Sequence, residues 1–165
     1  MEYLDTTQWP VSRLMQDFEK GRIAIPEIQR DVVWDSDQVK DLVDSIYHNY
    51  PCGCLILWEP RLRDEKLMRE IIKPEMLEYY NGGLPKYFLI DGQQRVIALA
   101  SVLLEQGFLK KVEPEIEEDL ASLYVNLKGF PRLRDKDIEA ATDGDQYTFP
   151  WALMNDVFSG RVRAT

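Results

Sequence analysis

Tyr87-Phe88-Leu89-Ile90-Asp91-Gly92-Gln93-Gln94-Arg95-Val96-Ile97-Ala98-Leu99 is an apolar run of strand length, an Asp-Gly break, then apolar residues at helical spacing. The pattern predicts a strand, a tight turn and a helix. Gly92 lets the backbone turn without a side chain in the way, and the N–H groups of the first helical turn then point outward with a positive partial charge. Such a junction is an anion site for which phosphate is the natural guest. Arg95, one turn in, can add a charge-assisted contact worth about 1.5 to 3 kcal/mol, and Gln93 and Gln94 supply neutral donors and acceptors. Asp91 would repel phosphate unless it holds Mg²⁺, orients a water or pairs with an arginine. The competing reading is a plain turn, with Gln93, Gln94 and Arg95 exposed at the start of a helix. The sequence has neither a Walker A loop nor a Gly-x-Gly-x-x-Gly segment after a strand.

Upstream, Pro26-Glu27-Ile28-Gln29-Arg30-Asp31-Val32-Val33-Trp34 follows neither the helical nor the strand period and reads as a loop. Gln29 and Arg30 offer an amide and a second guanidinium for a pocket wall. In the alternative, Ile28, Val33 and Trp34 pack in the core while Arg30 pairs with Asp91 or Asp31. Before this loop, Val11, Leu14, Met15 and Phe18 predict a short helix started by Pro10 or Ser12 and ended at Gly21, followed by a brief strand over 22–25. After it, Asp35 or Ser36 caps a helix with Val39, Leu42, Val43, Ile46 and Tyr47 on one face. Cys54 to Trp58 is apolar throughout, as in a strand buried on both faces. A third strand is expected over 123–127, and a helix over 150–158 with Pro150 in its first turn and Gly160 at its end. The run from Arg61 to Gly83 suggests a helical piece around Leu67, Met68, Ile71 and Ile72. Its Arg61, Arg63, Lys66, Arg69 and Lys73 could touch nucleic acid, although acidic residues interrupt them.

The 165 residues suit one core, and 20 basic against 29 acidic residues leave a net charge of −9. A surface that grips phosphate backbone along its whole length is therefore not expected, while a local basic site is compatible with that charge. No stretch reaches the roughly 18 apolar residues of a membrane span, and the N-terminus lacks a leader pattern, so a cytoplasmic location is expected. Cys52 and Cys54 are expected as reduced, packed thiols rather than a disulfide or zinc site. The single histidine, His48, is expected near a helix C-terminus facing solvent, and one histidine cannot build an HNH nuclease centre.

Taken in order, Ile25-Pro26-x-x-Gln29-Arg30-x-x-x-Trp34, Tyr50-Pro51-x-Gly53-x-Leu55-x-Leu57-Trp58 and Asp91-Gly92-Gln93-Gln94-Arg95 closely resemble the N-terminal domain family of GmrSD-type, modification-dependent restriction endonucleases. The resemblance spans residues 10 to 127. It implies an α/β (α+β) fold of the ParB/sulfiredoxin kind, a small mixed sheet flanked by helices, with 128–165 as a helical C-terminal extension. It further implies a sensor or regulatory domain of an anti-phage restriction system that binds a nucleoside triphosphate and in many relatives hydrolyses it. Gln29, Arg30, Gly92, Gln93, Gln94 and Arg95 then hold the nucleotide, Asp91 and Arg95 are the catalytic candidates, and Asp91 is the candidate Mg²⁺ ligand. The implied partner is an HNH-type nuclease, in trans or in a longer chain, which would contact the DNA. Family members commonly continue the signature with Leu-Thr-Thr; Val96-Ile97-Ala98 here lacks those hydroxyls, so binding is the firmer expectation and hydrolysis the weaker. A ParB-like nuclease or DNA-contacting domain, and a docking domain using Trp9, Tyr79 and Tyr80, are the alternatives.

Overall fold

In the computed structural model, Pro10 opens helix α1 (Val11–Glu19), whose buried face is Leu14, Met15 and Phe18. The structure describes residues 5–26, 33–60, 66, 70–72, 84–105, 108–109, 122–128, 138–141 and 151–160. Beyond α1 the chain turns through Gly21, at a positive φ of 67°, into the two-residue strand β1 (Ile23–Ala24). Asp17 braces that turn: its carboxylate, nearly buried, accepts from Arg22 Nη1 at 3.0 Å, and its carbonyl accepts from the Arg22 N–H.

Asp35 starts helix α2 (Ser36–Tyr47) with a reciprocal cap. Its Oδ1 accepts from the Gln38 N–H at 2.9 Å while Gln38 Oε1 accepts from the Asp35 N–H at 3.1 Å, so two otherwise orphaned donors are satisfied. Val39, Leu42 and Val43 form its buried face. His48 ends the helix as expected, but half-buried, with its ring stacked on Tyr50.

Strand β3 (Tyr87–Asp91) lies between β1, which runs parallel to it with Ala24 opposite Phe88, and the antiparallel β2 (Ile56–Trp58). This is the small mixed sheet the sequence implied. Strand β2 differs from expectation in one respect. Ile56 and Trp58 are 45% and 42% exposed, so the run is not buried on both faces: only β3 pairs with it among the described residues, and its outward side chains stay in water. Asp91 leads through Gly92 into helix α3 (Gln93–Leu103), in which Val96, Ile97 and Ala98 are fully buried in succession. That succession makes α3 the central helix, covered on every side rather than along one stripe.

A second, antiparallel sheet has β4 (Ser122–Asn126) in the middle, with β5 (Ile138–Ala141) and β6 (Trp151–Leu153) on either side. The expected helix over 150–158 is therefore corrected: 151–153 is strand, and helix α4 (Met154–Phe158) begins only afterwards. The expected helical extension beyond 128 likewise contains two strands. The reason is tertiary. Strand β4 carries Leu123 and Val125 into the core, and its backbone needs partners on both sides, a demand that outweighs the weak local helical pattern. Among the described residues no helix is long and apolar enough to cross a membrane.

Candidate functional site

The turn between β3 and α3 is where the structure concentrates polar groups. Gly92 is the N-cap of α3 at φ 95°, ψ 18°, a left-handed conformation that glycine reaches without strain. Among the described residues no side chain caps the helix by a hydrogen bond, and the positive end of its dipole lies at this turn. A β-carbon at Gly92 would collide with Leu55 Cδ2 and would lie 3.2 Å from Arg95 Nη2. The backbone here has thus been drawn against the 50–55 segment to a distance only glycine permits.

Arg95 is committed within the protein. Its Nη1 donates to the Cys52 carbonyl at 2.9 Å and its Nη2 donates to Asp91 Oδ2 at 3.1 Å. The side chain is 21% exposed, against 62% for Asp91. Of the roles open to Asp91, the one seen among the described residues is pairing with an arginine, Arg95. The guanidinium also lies against Gly53, at φ 82°, where an added β-carbon would stand 2.7 Å from Nη1. Arg95 therefore ties the Tyr50-Pro51-x-Gly53 segment and the Asp91-Gly92 turn into one unit. Spacing along the chain does not reveal this link; the two left-handed glycines and the charged residue within it were the available hints.

The two glutamines have different surroundings. Gln94, 6% exposed, accepts the Val33 N–H on Oε1 at 2.9 Å and so holds the backbone where the Gln29-Arg30 loop ends. Gln93, 8% exposed, has its side-chain oxygen buried with no hydrogen-bond partner among the described residues. Neither is the exposed first-turn residue of the plain-turn reading. Gln29 and Arg30 themselves lie outside the described residues, as do Tyr79, Tyr80, Arg61, Arg63, Arg69 and Lys73. The described neighbours of the loop are placed on both sides of it: β1 ends at Ala24 alongside Phe88, and Val33 is hydrogen-bonded to Gln94.

Cys52 and Cys54 are free thiols. Cys52 Sγ donates to the Tyr50 carbonyl at 3.2 Å, while Cys54 is exposed, which corrects the expectation that both are packed. Trp9, the remaining aromatic proposed as a docking anchor, is half-buried; its ring packs edge-on against Tyr87 at 5.6 Å, with the Arg13 guanidinium 4.0 Å from its centroid. Among the described residues no group of three His, Cys, Asp or Glu side chains is placed to hold a metal ion.

Comparison with known proteins bears on the whole fold. Residues 11–153 match the model of a family described as the GmrSD restriction endonuclease, N-terminal domain. The chain is also 23% identical, over 143 residues, to the uncharacterised protein MJ0686 of Methanocaldococcus jannaschii, an alignment covering 75% of this chain and 24% of that protein. The chain thus spans about a quarter of the length of the curated relative it matches. No solved structure matches it.

Proposed function

Because the chain belongs to the GmrSD restriction endonuclease N-terminal domain family, we propose that it is the nucleotide-binding sensor module of a restriction system, with the β3–α3 turn as the phosphate site. The observation that carries this reading is the uncapped N-terminus of an 11-residue buried helix behind a left-handed glycine. Main-chain N–H groups there would bind phosphate oxygens, as helix N-termini do elsewhere. The role given to Arg95 follows from its contacts: it holds the turn in shape and supplies positive charge from the side, with Asp91 balancing that charge in the absence of ligand. Asp91 would be the residue to hold a hydrated Mg²⁺, which would offset the charge of a bound polyphosphate; one carboxylate suffices where the ligand and water supply the other oxygens. Arg30 is the proposed second cation.

Binding is the activity this reading commits to. Val96, Ile97 and Ala98 are fully buried apolar residues and offer no hydroxyl to a nucleotide, so any hydrolysis would depend on Asp91 and a water. An HNH-type nuclease, in trans or in a longer chain, is the proposed partner, and DNA would be contacted through it. Isothermal titration with ATP, GTP, CTP and UTP, each with and without Mg²⁺, tests the proposal on the wild type and on Arg95→Ala. The expected result is a saturable heat with at least one triphosphate, weakened in the variant; no heat with any of them sinks the reading.

A further inference from the structure

We propose that the outer edge of β2 is a docking site for an extended segment of a partner protein. That segment adds to the first sheet as a further strand, with apolar side chains at alternate positions and Lys or Arg at its ends.

The apolar part of the surface comes from the register. Ile56 lies opposite Asp91 and Trp58 opposite Phe88, so Ile56 and Trp58, two residues apart, project from one face of the sheet. Both are exposed, as is Ile90, which the register shift between Ile56 and Leu57 leaves as the extra residue of β3. Beyond β2 no further strand pairs among the described residues. Cys52 to Trp58 carry no charge, whereas natural edge strands are ordinarily guarded by lysine or another charge. A bare apolar edge of this kind is a template for strand addition, in which main-chain hydrogen bonds give affinity and alternate side chains give specificity.

Charge decides the occupant. Glu59 directly follows Trp58 and Asp91 stands opposite Ile56, and both carboxylates are more exposed to water than buried. Their cations offset them only in part. Arg95, which pairs with Asp91, is the less exposed of the two, and Lys86 reaches Glu59 at 3.7 Å between two solvent-exposed side chains, a contact of little strength. The chain as a whole carries a net charge of −9. A second copy would bring the same carboxylates to the same edge and the same net charge to the approach, so like charges oppose it. A basic segment meets the opposite sign at both ends of β2.

The test selects peptides from a random display library on the wild-type chain, with counter-selection on Trp58→Lys. The enriched sequences are expected to carry β-branched or aromatic residues at alternate positions, flanked by Lys or Arg. The leading peptide, once synthesised, is expected to bind the wild type about tenfold more tightly than Trp58→Lys and to slow amide exchange at Ile56, Leu57 and Trp58. Glu59→Lys changes an exposed side chain and leaves the apolar face intact; there the affinity should fall about threefold, and added salt should remove the difference. N-methylation of alternate peptide residues should abolish binding in one phase and spare it in the other, as in a strand bonded along one edge.

The docking site is overturned if no peptide is enriched, if the enriched peptides are acidic or lack the alternation, or if the leading peptide binds both variants as tightly as the wild type. It is equally overturned if both N-methylated forms bind alike or exchange at Ile56, Leu57 and Trp58 is unchanged. A wild-type chain that sediments as a dimer, and becomes monomeric as Trp58→Lys, would assign the edge to a second copy and remove the partner. None of these outcomes turns on whether a nucleotide binds at the Gly92 turn.

Discussion

The guanidinium of Arg95 and the α-carbon of Gly53 face each other so closely that a β-carbon at position 53 would lie 2.7 Å from Nη1. On its other side the same guanidinium borders Gly92, where a β-carbon would stand 3.2 Å from Nη2. A planar cation, two glycines at positive φ and the Cys52 carbonyl thus form a single joint between segments about 40 residues apart in sequence.

Removing the cation should loosen that joint. Arg95→Ala deletes a charged donor from the Cys52 carbonyl and from Asp91, and hydrogen bonds of this kind contribute about 1.5 to 3 kcal/mol. One partner, Asp91, is largely exposed, so the lower end of that range is expected, near 1.5 kcal/mol, or about 3 to 6 °C in melting temperature for a chain of this size. Arg95→Lys should recover only part of the loss, since a single ammonium cannot span both partners. Thermal denaturation followed by circular dichroism reads both.

At Gly53 the alanine substitution is opposed by a side chain rather than by the backbone of a neighbour. Gly53→Ala should destabilise by about 1 kcal/mol or more, from its left-handed backbone and from displacement of Nη1. In an Arg95→Ala background the second of these costs vanishes. A double-mutant cycle is therefore expected to show less than additive loss, whereas full additivity would mean that the two residues do not press on each other. Gly92→Ala should be worse than Gly53→Ala, because Leu55, packed on the core, has less room to move than the end of an arginine.

The bond from Val33 to Gln94 should be visible in amide exchange. Gln94→Met removes the acceptor, and loss of a neutral bond worth about 0.5 to 1.5 kcal/mol should speed exchange at Val33 up to about tenfold. Gln94→Glu retains an acceptor and should preserve protection. Exchange measured by NMR on the three proteins gives the comparison, and unchanged Val33 protection in Gln94→Met would remove the tether.

Ile138 tests whether the second sheet belongs to the same cooperative unit. It is fully buried in the core cluster that also contains Leu123, Val125 and Val96. Ile138→Ala should cost about 2 to 5 kcal/mol, as large-to-small core changes do, and should lower the single melting transition of the whole chain. A variant that melts in two steps would show that β4 and β5 unfold apart from α3.

Much of this fold was legible along the chain because the features concerned are local. The Asp35 cap, the apolar face of α2, the strand expected over 87–90 and the Gly92 turn each depend on residues within a few positions of one another, and the structure has them there, with the strand one residue longer. Strand β6 was not legible, since three residues preceding a helix become strand only when Asn126 and its neighbours offer a pairing edge. The exposure of Ile56 and Trp58 was hidden for the same reason: an apolar run does not say whether a strand is central or marginal in its sheet.

The candidate site divides along that line. By itself the sequence determined that an uncapped helix would follow a glycine turn, because glycine's freedom and the order Asp91-Gly92-Gln93-Gln94-Arg95 are properties of the chain. What each of those side chains bonds to was decided by tertiary packing. Arg95, read from spacing as a phosphate ligand, is bonded to a carbonyl brought in from Cys52; Gln94 is bonded to Val33; and Gln93, chemically identical to Gln94, has its oxygen buried with no donor among the described residues. Hydrogen-bond partners come from whichever segments the core brings alongside, and two adjacent glutamines on a helix, pointing about 100° apart, meet different ones.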